Sequence, residues 1–133
     1  MQQPLLRKVD AVTFTVPDLD AGIDYYARRL GHDLLWRNDD VGQAGLRCPD
    51  SDTEIVLSTD LGSEPNWLVD SVDSVVAVIA DSGGRMLSPP RDIPVGRVAV
   101  VEDPFGNRLV LVDLNAGRYR TDESGSVTGV TTE

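Results

Sequence analysis

Catalysis by side chains needs a base, a nucleophile or a set of metal-binding donors, and this 133-residue chain carries few of them. It has one histidine, His32, and one cysteine, Cys48. A Ser-His-Asp or Cys-His arrangement would have to use His32, and no G-x-S-x-G elbow accompanies it, so covalent hydrolysis is not expected. His32 follows Gly31 at a strand start and reads as facing solvent; Cys48 reads as a small residue on a half-buried strand. The glycines stand at turns and helix ends and form no phosphate-cradling G-x-G-x-x-G or G-x-x-x-x-G-K. The acidic pairs Asp39-Asp40, Asp50/Asp52 and Asp122-Glu123 fall in turns or the C-terminal tail, where solvated carboxylates are the expectation. What remains is one carboxylate, Glu64, which an apolar setting would turn into a general base, and two indoles. An indole face can stack on an aromatic ring or hold a cation. Trp67 is expected under a helix, in register with Phe14, whereas for Trp36 the core and a ligand-stacking wall are both open.

Charge narrows the partners. With 22 acidic against 12 basic residues, a net charge of -10 and a pI near 4.4, the surface repels phosphate backbones, and nucleic acid is not expected as a partner. The same field would concentrate a cationic small molecule, although acidity also simply keeps a protein soluble. No apolar run approaches the roughly 20 residues that cross a bilayer, and the start MQQPLLRKVD lacks the apolar stretch of a secretory signal. A single cysteine suits a reducing compartment, so a cytoplasmic protein with no membrane partner is expected.

The elements that would position these residues come from periodicity. VDAVTFTV (9–16) alternates as a half-buried strand; Pro17 ends it, Asp18 is placed to cap a helix LDAGIDYYARRL, and Gly31 stops that helix. DLLWRN, GLRC and TEIVLST follow as strands separated by turn-rich segments. The pattern then restarts: strand NWLV, helix DSVDSVVAVIADS ended by Gly83-Gly84, strands RMLS and GRVAVVE, the turn DPFGN and the strand RLVLVDL.

The two halves superpose. A shift of 53 puts Val16 on Val69, Leu19 on Val72, Asp20 on Asp73, Ile23 on Val76, Tyr26 on Ile79 and Gly31 on Gly84. A shift of 54 puts Ile55, Val56 and Leu57 on Leu109, Val110 and Leu111. Helix periodicity alone would not align the stop glycines and the Asp pair, so the order strand–helix–strand–strand–strand is a tandem duplication. The expected organisation is one α+β domain over 1–114, with module one at about 8–59 and module two at about 63–114, and a polar tail 115–133. That tail is rich in Gly, Ser and Thr and by itself should be disordered, with Tyr119 and Val130 as its only plausible anchors.

Three segments, VDAVTFTVPDLDAGIDYYARRLGHDLLW, WLVDSVDSVVAVIADSGGRMLSPP and VAVVEDPFGNRLVLVDL, together resemble the glyoxalase, bleomycin-resistance and extradiol-dioxygenase (vicinal oxygen chelate) superfamily. They span nearly all of residues 8–114. The resemblance implies that two βαβββ modules curl a mixed sheet around a cleft with the helices outside. In metalloenzyme members one residue on the first strand and one on the last strand of each module hold a divalent ion, which needs imidazole or carboxylate donors. Carried over, those positions fall on Ala11 and Val56 in module one, and on Glu64 and Val110 in module two. Three of the four are hydrocarbon and donate no electron pair, so no metal and no other cofactor is expected.

Strand alternation puts Ile55, Leu57, Leu109 and Leu111 against the helices and turns Glu54, Val56, Ser58, Arg108, Val110 and Val112 the other way. The expected lining is Ala11, Thr13, Thr15, Val56, Ser58, Val110 and Val112, with Trp36 as wall and Glu64, Arg47, Arg97 or Arg108 as polar anchors. The leading reading is a non-catalytic protein that sequesters a small aromatic or cationic molecule, as in the drug-resistance branch of the superfamily. A glyoxalase- or dioxygenase-like enzyme, metal-free or using Glu64 as general base, and a ligand-free scaffold or regulatory domain are the alternatives. A homodimer is expected, because superfamily members commonly complete their clefts across a two-fold axis.

Overall fold

The computed structural model describes residues 4–60 and 62–132. Its elements are β1 (Lys8–Thr15), α1 (Leu19–Ile23) continued by a π-helical segment (Asp24–Arg29), β2 (Leu34–Asn38), β3 (Gln43–Cys48), β4 (Ser51–Ser58), β5 (Pro65–Leu68), α2 (Val72–Asp81), β6 (Arg85–Ile93), β7 (Gly96–Glu102), β8 (Arg108–Asp113), β9 (Arg118–Thr121) and β10 (Val127–Thr131). The fold is α+β, and the chain divides into two compact units. The first takes Asp10–Glu64 and Tyr119–Gly129; the second takes the chain up to Val9, Pro65–Arg118 and the chain from Val130.

Within the first unit the strands run in the order β2-β3-β4-β1, with β1 parallel to β4 and the other pairs antiparallel. Within the second the order is β6-β7-β8-β5, with β5 parallel to β8. The repeat thus extends from sequence to register: Phe14 pairs with Leu57, and Trp67, 53 residues after Phe14, pairs with Leu111, 54 residues after Leu57. Each sheet buries one face against its helix. In the first unit Val16, Leu19, Ala44, Leu46 and Leu57 form the core, with Phe14 stacked on Tyr26. In the second, Val69, Val72, Val75, Ala99, Val101 and Leu111 do so, and Trp67 packs against them beneath α2.

The helix starts match as predicted. Asp18 accepts from the Ala21 N–H and Ser71, 53 residues on, accepts from the Ser74 N–H, so each supplies one of the acceptors a first turn lacks. The helix ends do not match as predicted. The left-handed stop glycines are Gly31 (φ 87°) and Gly83 (φ 100°), whereas the uniform shift pairs Gly31 with Gly84. The cause is the π-helical segment: the Leu30 N–H reaches the Tyr25 carbonyl five residues back, so the first helix carries one more residue than α2. Gly84 has its own reason to be glycine, since a Cβ there would stand 2.6 Å from Ile79 Cγ2.

The tail also departs from expectation. Its residues pair as a hairpin, β9 with β10, closed by a turn in which the Asp122 carboxylate accepts from the Ser124 and Ser126 N–H groups. Composition reads such a segment as disordered because it holds few apolar side chains, but the expected anchor Tyr119 finds an aromatic partner in the first unit.

Candidate functional site

The face of the first unit's sheet turned away from α1 carries most of the residues the sequence singles out. Ala11 pairs with Glu54, Thr13 with Val56, Val56 with Gly45, and Gly45 with Trp36, so these side chains share one face. Along β1 and β4 that face is filled rather than open: Ala11 is 3% exposed, Thr13 1%, Val56 7% and Ser58 0%. The hydroxyls are engaged as well. Thr13 Oγ1 donates to the Gly62 carbonyl at 2.6 Å, and Ser58 Oγ donates to Asp60 at 2.9 Å. Both hydroxyls thus bond the segment that follows β4. Thr15 is exposed.

The other end of the face is aromatic. The Trp36 indole lies over Gly45, where a Cβ would collide with the ring, and its N–H donates to Glu54 Oε1 at 2.7 Å. Glycine at 45 is therefore what lets an indole lie against the sheet. Tyr119 covers the ring, with centroids 4.8 Å apart and planes 46° apart. Burial pushes the Tyr119 phenol up from its ordinary range, and a hydrogen bond with the Asn38 side chain partly offsets that. Trp36 is half-buried on the face turned away from α1, and Tyr119 of the tail lies against it. Glu54, seen in the sequence only as a face residue, is its orienting partner.

The expected polar anchors belong to both units. Glu64 precedes β5 by one residue, is half-buried, and meets Thr13 through its backbone, its carbonyl accepting the Thr13 N–H at 3.0 Å. Arg47 is exposed at the end of β3, where its carbonyl meets His32 Nδ1 at 2.9 Å. Arg108 is exposed on β8 in the second unit, on the face that carries Val110, which is 8% exposed, and Val112, 6% exposed. Arg97 is misassigned by the sequence reading. It shares parity with Ala99 and Val101, which pack against α2, and its guanidinium pairs with Asp73 of α2 and with Asp92. Burial works against its charge, but the bond to Asp92 and the field of Asp73 outweigh it and raise its pKa.

A divalent ion does not fit the residues present. Ala11, Val56 and Val110 offer only carbon, and among the described residues no group of three or more His, Cys, Asp or Glu is placed to hold a metal. No helix among them is long and apolar enough to cross a membrane.

The profile of the Glyoxalase/Bleomycin resistance protein/Dioxygenase superfamily matches residues 8–111. Methylmalonyl-CoA epimerase from Mycobacterium tuberculosis is similar at 25% identity and a TM-score of 0.66, over 85% of this chain and 91% of its own. Methylmalonyl-CoA epimerase from Streptomyces coelicolor, solved in complex with 2-nitronate-propionyl-CoA, shares the fold at 24% identity and a TM-score of 0.63, over 81% of this chain and 97% of its own. No curated protein matches.

Proposed function

The chain belongs to the Glyoxalase/Bleomycin resistance protein/Dioxygenase superfamily, and from that premise we propose that it is a metal-independent binding protein for a small planar aromatic or cationic molecule, held at Trp36. The observation that carries the reading is the hydrocarbon at Ala11, Val56 and Val110, which removes the metal chemistry of the superfamily's enzymes while leaving the fold intact. Trp36 offers an aromatic ring on the sheet side opposite the helix, and Glu54 beside it supplies negative charge. An oriented indole next to a carboxylate attracts a flat cation by stacking and by cation–π attraction together. Binding as a homodimer is part of the proposal, and native mass spectrometry reports that state and any co-purified small molecule together.

Elemental analysis of the purified protein is expected to find no stoichiometric Zn, Ni, Mn or Fe. One ion per chain surviving dialysis against a weak chelator would overturn the assignment of the four positions.

Binding is tested with ethidium, a planar aromatic cation. At about 100 times its dissociation constant it is expected to stabilise the folded chain by about 2.7 kcal/mol, measured as a rise in melting temperature, since only the folded state offers the site. Trp36→Ala should weaken ethidium by about 1 kcal/mol or more while the fold persists. No shift with ethidium or with neutral planar aromatics would reject the reading. The second reading is enzymatic, favoured by the similarity to the Mycobacterium tuberculosis epimerase. Under it a compound is converted in the absence of metal, and Glu64→Gln abolishes conversion without abolishing binding.

A further inference from the structure

The Trp36 indole is hemmed in on two sides. Its Nε1–Cε2 side lies against Gly45, and the Tyr119 ring leans on it with centroids 4.8 Å and planes 46° apart. A planar ligand that stacks on Trp36 must therefore take the place of the Tyr119 ring, because the Gly45 side has no room even for a methyl group. We infer that the C-terminal hairpin is a displaceable lid, with Tyr119 standing in for the ligand's ring on Trp36. The inference rests on the binding reading above.

The way the hairpin is attached suits displacement. A two-stranded hairpin is marginal by itself, so β9 and β10 stay in place only through what they touch. Within the first unit the described contacts lie along β2, the edge strand of that sheet. The Arg37 N–H donates to the Gly125 carbonyl at 2.8 Å, Tyr119 lies on Trp36, Asn38 bonds the Tyr119 phenol, and Gly125 lies beside Leu34. Tyr119 is the only aromatic residue after Leu114. Segments held by little apolar contact open well below the free energy of global unfolding. Glu54, which orients the indole, belongs to β4 and stays behind when the hairpin lifts. Opening thus uncovers a ready-made aromatic face with its carboxylate, together with an unpaired N–H on an edge strand.

A ligand that needs the open form binds with a dissociation constant raised by the reciprocal of the open fraction, and removing the competitor recovers that factor. In the full-length chain, Tyr119→Ala is expected to tighten ethidium roughly threefold to tenfold, read by fluorescence titration. Tyr119→Phe, which keeps the ring and loses only the Asn38 bond, should tighten it less. Amide hydrogen exchange supplies a readout that needs no variant: the Arg37 N–H should exchange far faster than the β4 amides in the free protein, and faster again when ethidium is bound. Weaker ethidium binding by Tyr119→Ala would show that Tyr119 is a fixed wall of the site and overturn the lid. An Arg37 amide as protected as those of β4 would overturn it without any ligand. Failure of both the unchanged protein and Tyr119→Ala to bind ethidium would instead reject the binding reading itself, a result distinct from either.

Discussion

Replacing Asp113 with Ala is expected to cost about 3 kcal/mol of folding stability or more, a large share of what a domain of this size has. Asp113 is 3% exposed at the end of β8, and its carboxylate collects N–H groups from three segments: Val72 at 3.0 Å, Arg97 at 3.2 Å and Asn115 at 3.4 Å. Val72 opens α2 and is fully buried, so water cannot take over when the carboxylate is removed. The first turn of a helix leaves its N–H groups without intrahelical partners; Ser71 serves Ser74, and Asp113 serves Val72 from across the fold. Alanine would strand the Val72 N–H in an apolar setting and release the other two donors, and a stranded buried donor costs more than its bond contributes net. Asparagine keeps one carbonyl oxygen and should recover part of the loss. Urea unfolding of Asp113→Ala, Asp113→Asn and the unchanged protein measures the series. An alanine variant within 0.5 kcal/mol of the parent would mean that the carboxylate holds nothing together.

Asp113 also marks where sequence reading stops. Its parity was legible: Leu109 and Leu111 face the helix, so Asp113 must too, and an inward acid on an apolar strand signals a structural acceptor. The function of that acid was hidden, because Val72 and Arg97 are distant in sequence. The duplication was legible because it is written in capping residues and apolar registers, which depend on local chemistry, and the caps fall 53 residues apart as expected. The π-helical insertion was not, since one extra residue in an amphipathic helix leaves the apolar period nearly unchanged. The site was half legible. Strand alternation put Val56, Thr13 and Ala11 on one face, and they are there. That this face is filled, that Gly45 seats Trp36, and that Tyr119 returns from the far end of the chain to cover it are all properties of non-local packing, on which alternation is silent.

The duplicated core gives a paired expectation for Leu57→Ala and Leu111→Ala. Both leucines are 0% exposed, both stand on the last strand of their module, and each faces an aromatic residue on the parallel neighbour, Phe14 or Trp67. Truncation to alanine removes the transfer free energy of the lost carbons and leaves a cavity whose cost depends on how far the walls can close, for a total of about 3–5 kcal/mol each. The walls differ. Around Leu111 they are Val69, Val72, Val75, Ala99 and Val101, β-branched or small and tied to strand and helix backbones. Around Leu57 they include Leu19, Leu46 and the Phe14–Tyr26 stack, whose longer side chains have rotamer freedom to move inward, although Gly22 brings the helix backbone close to Leu57 Cδ1. Leu111→Ala should therefore be the costlier of the two. The volume-conserving Leu→Met changes at the same positions should each cost less than about 1.5 kcal/mol. Denaturant midpoints at constant m-value read all four variants. An alanine variant losing under 1 kcal/mol would show that its module does not close on this leucine, and a larger loss at Leu57 would show that the aromatic stack is the more rigid wall.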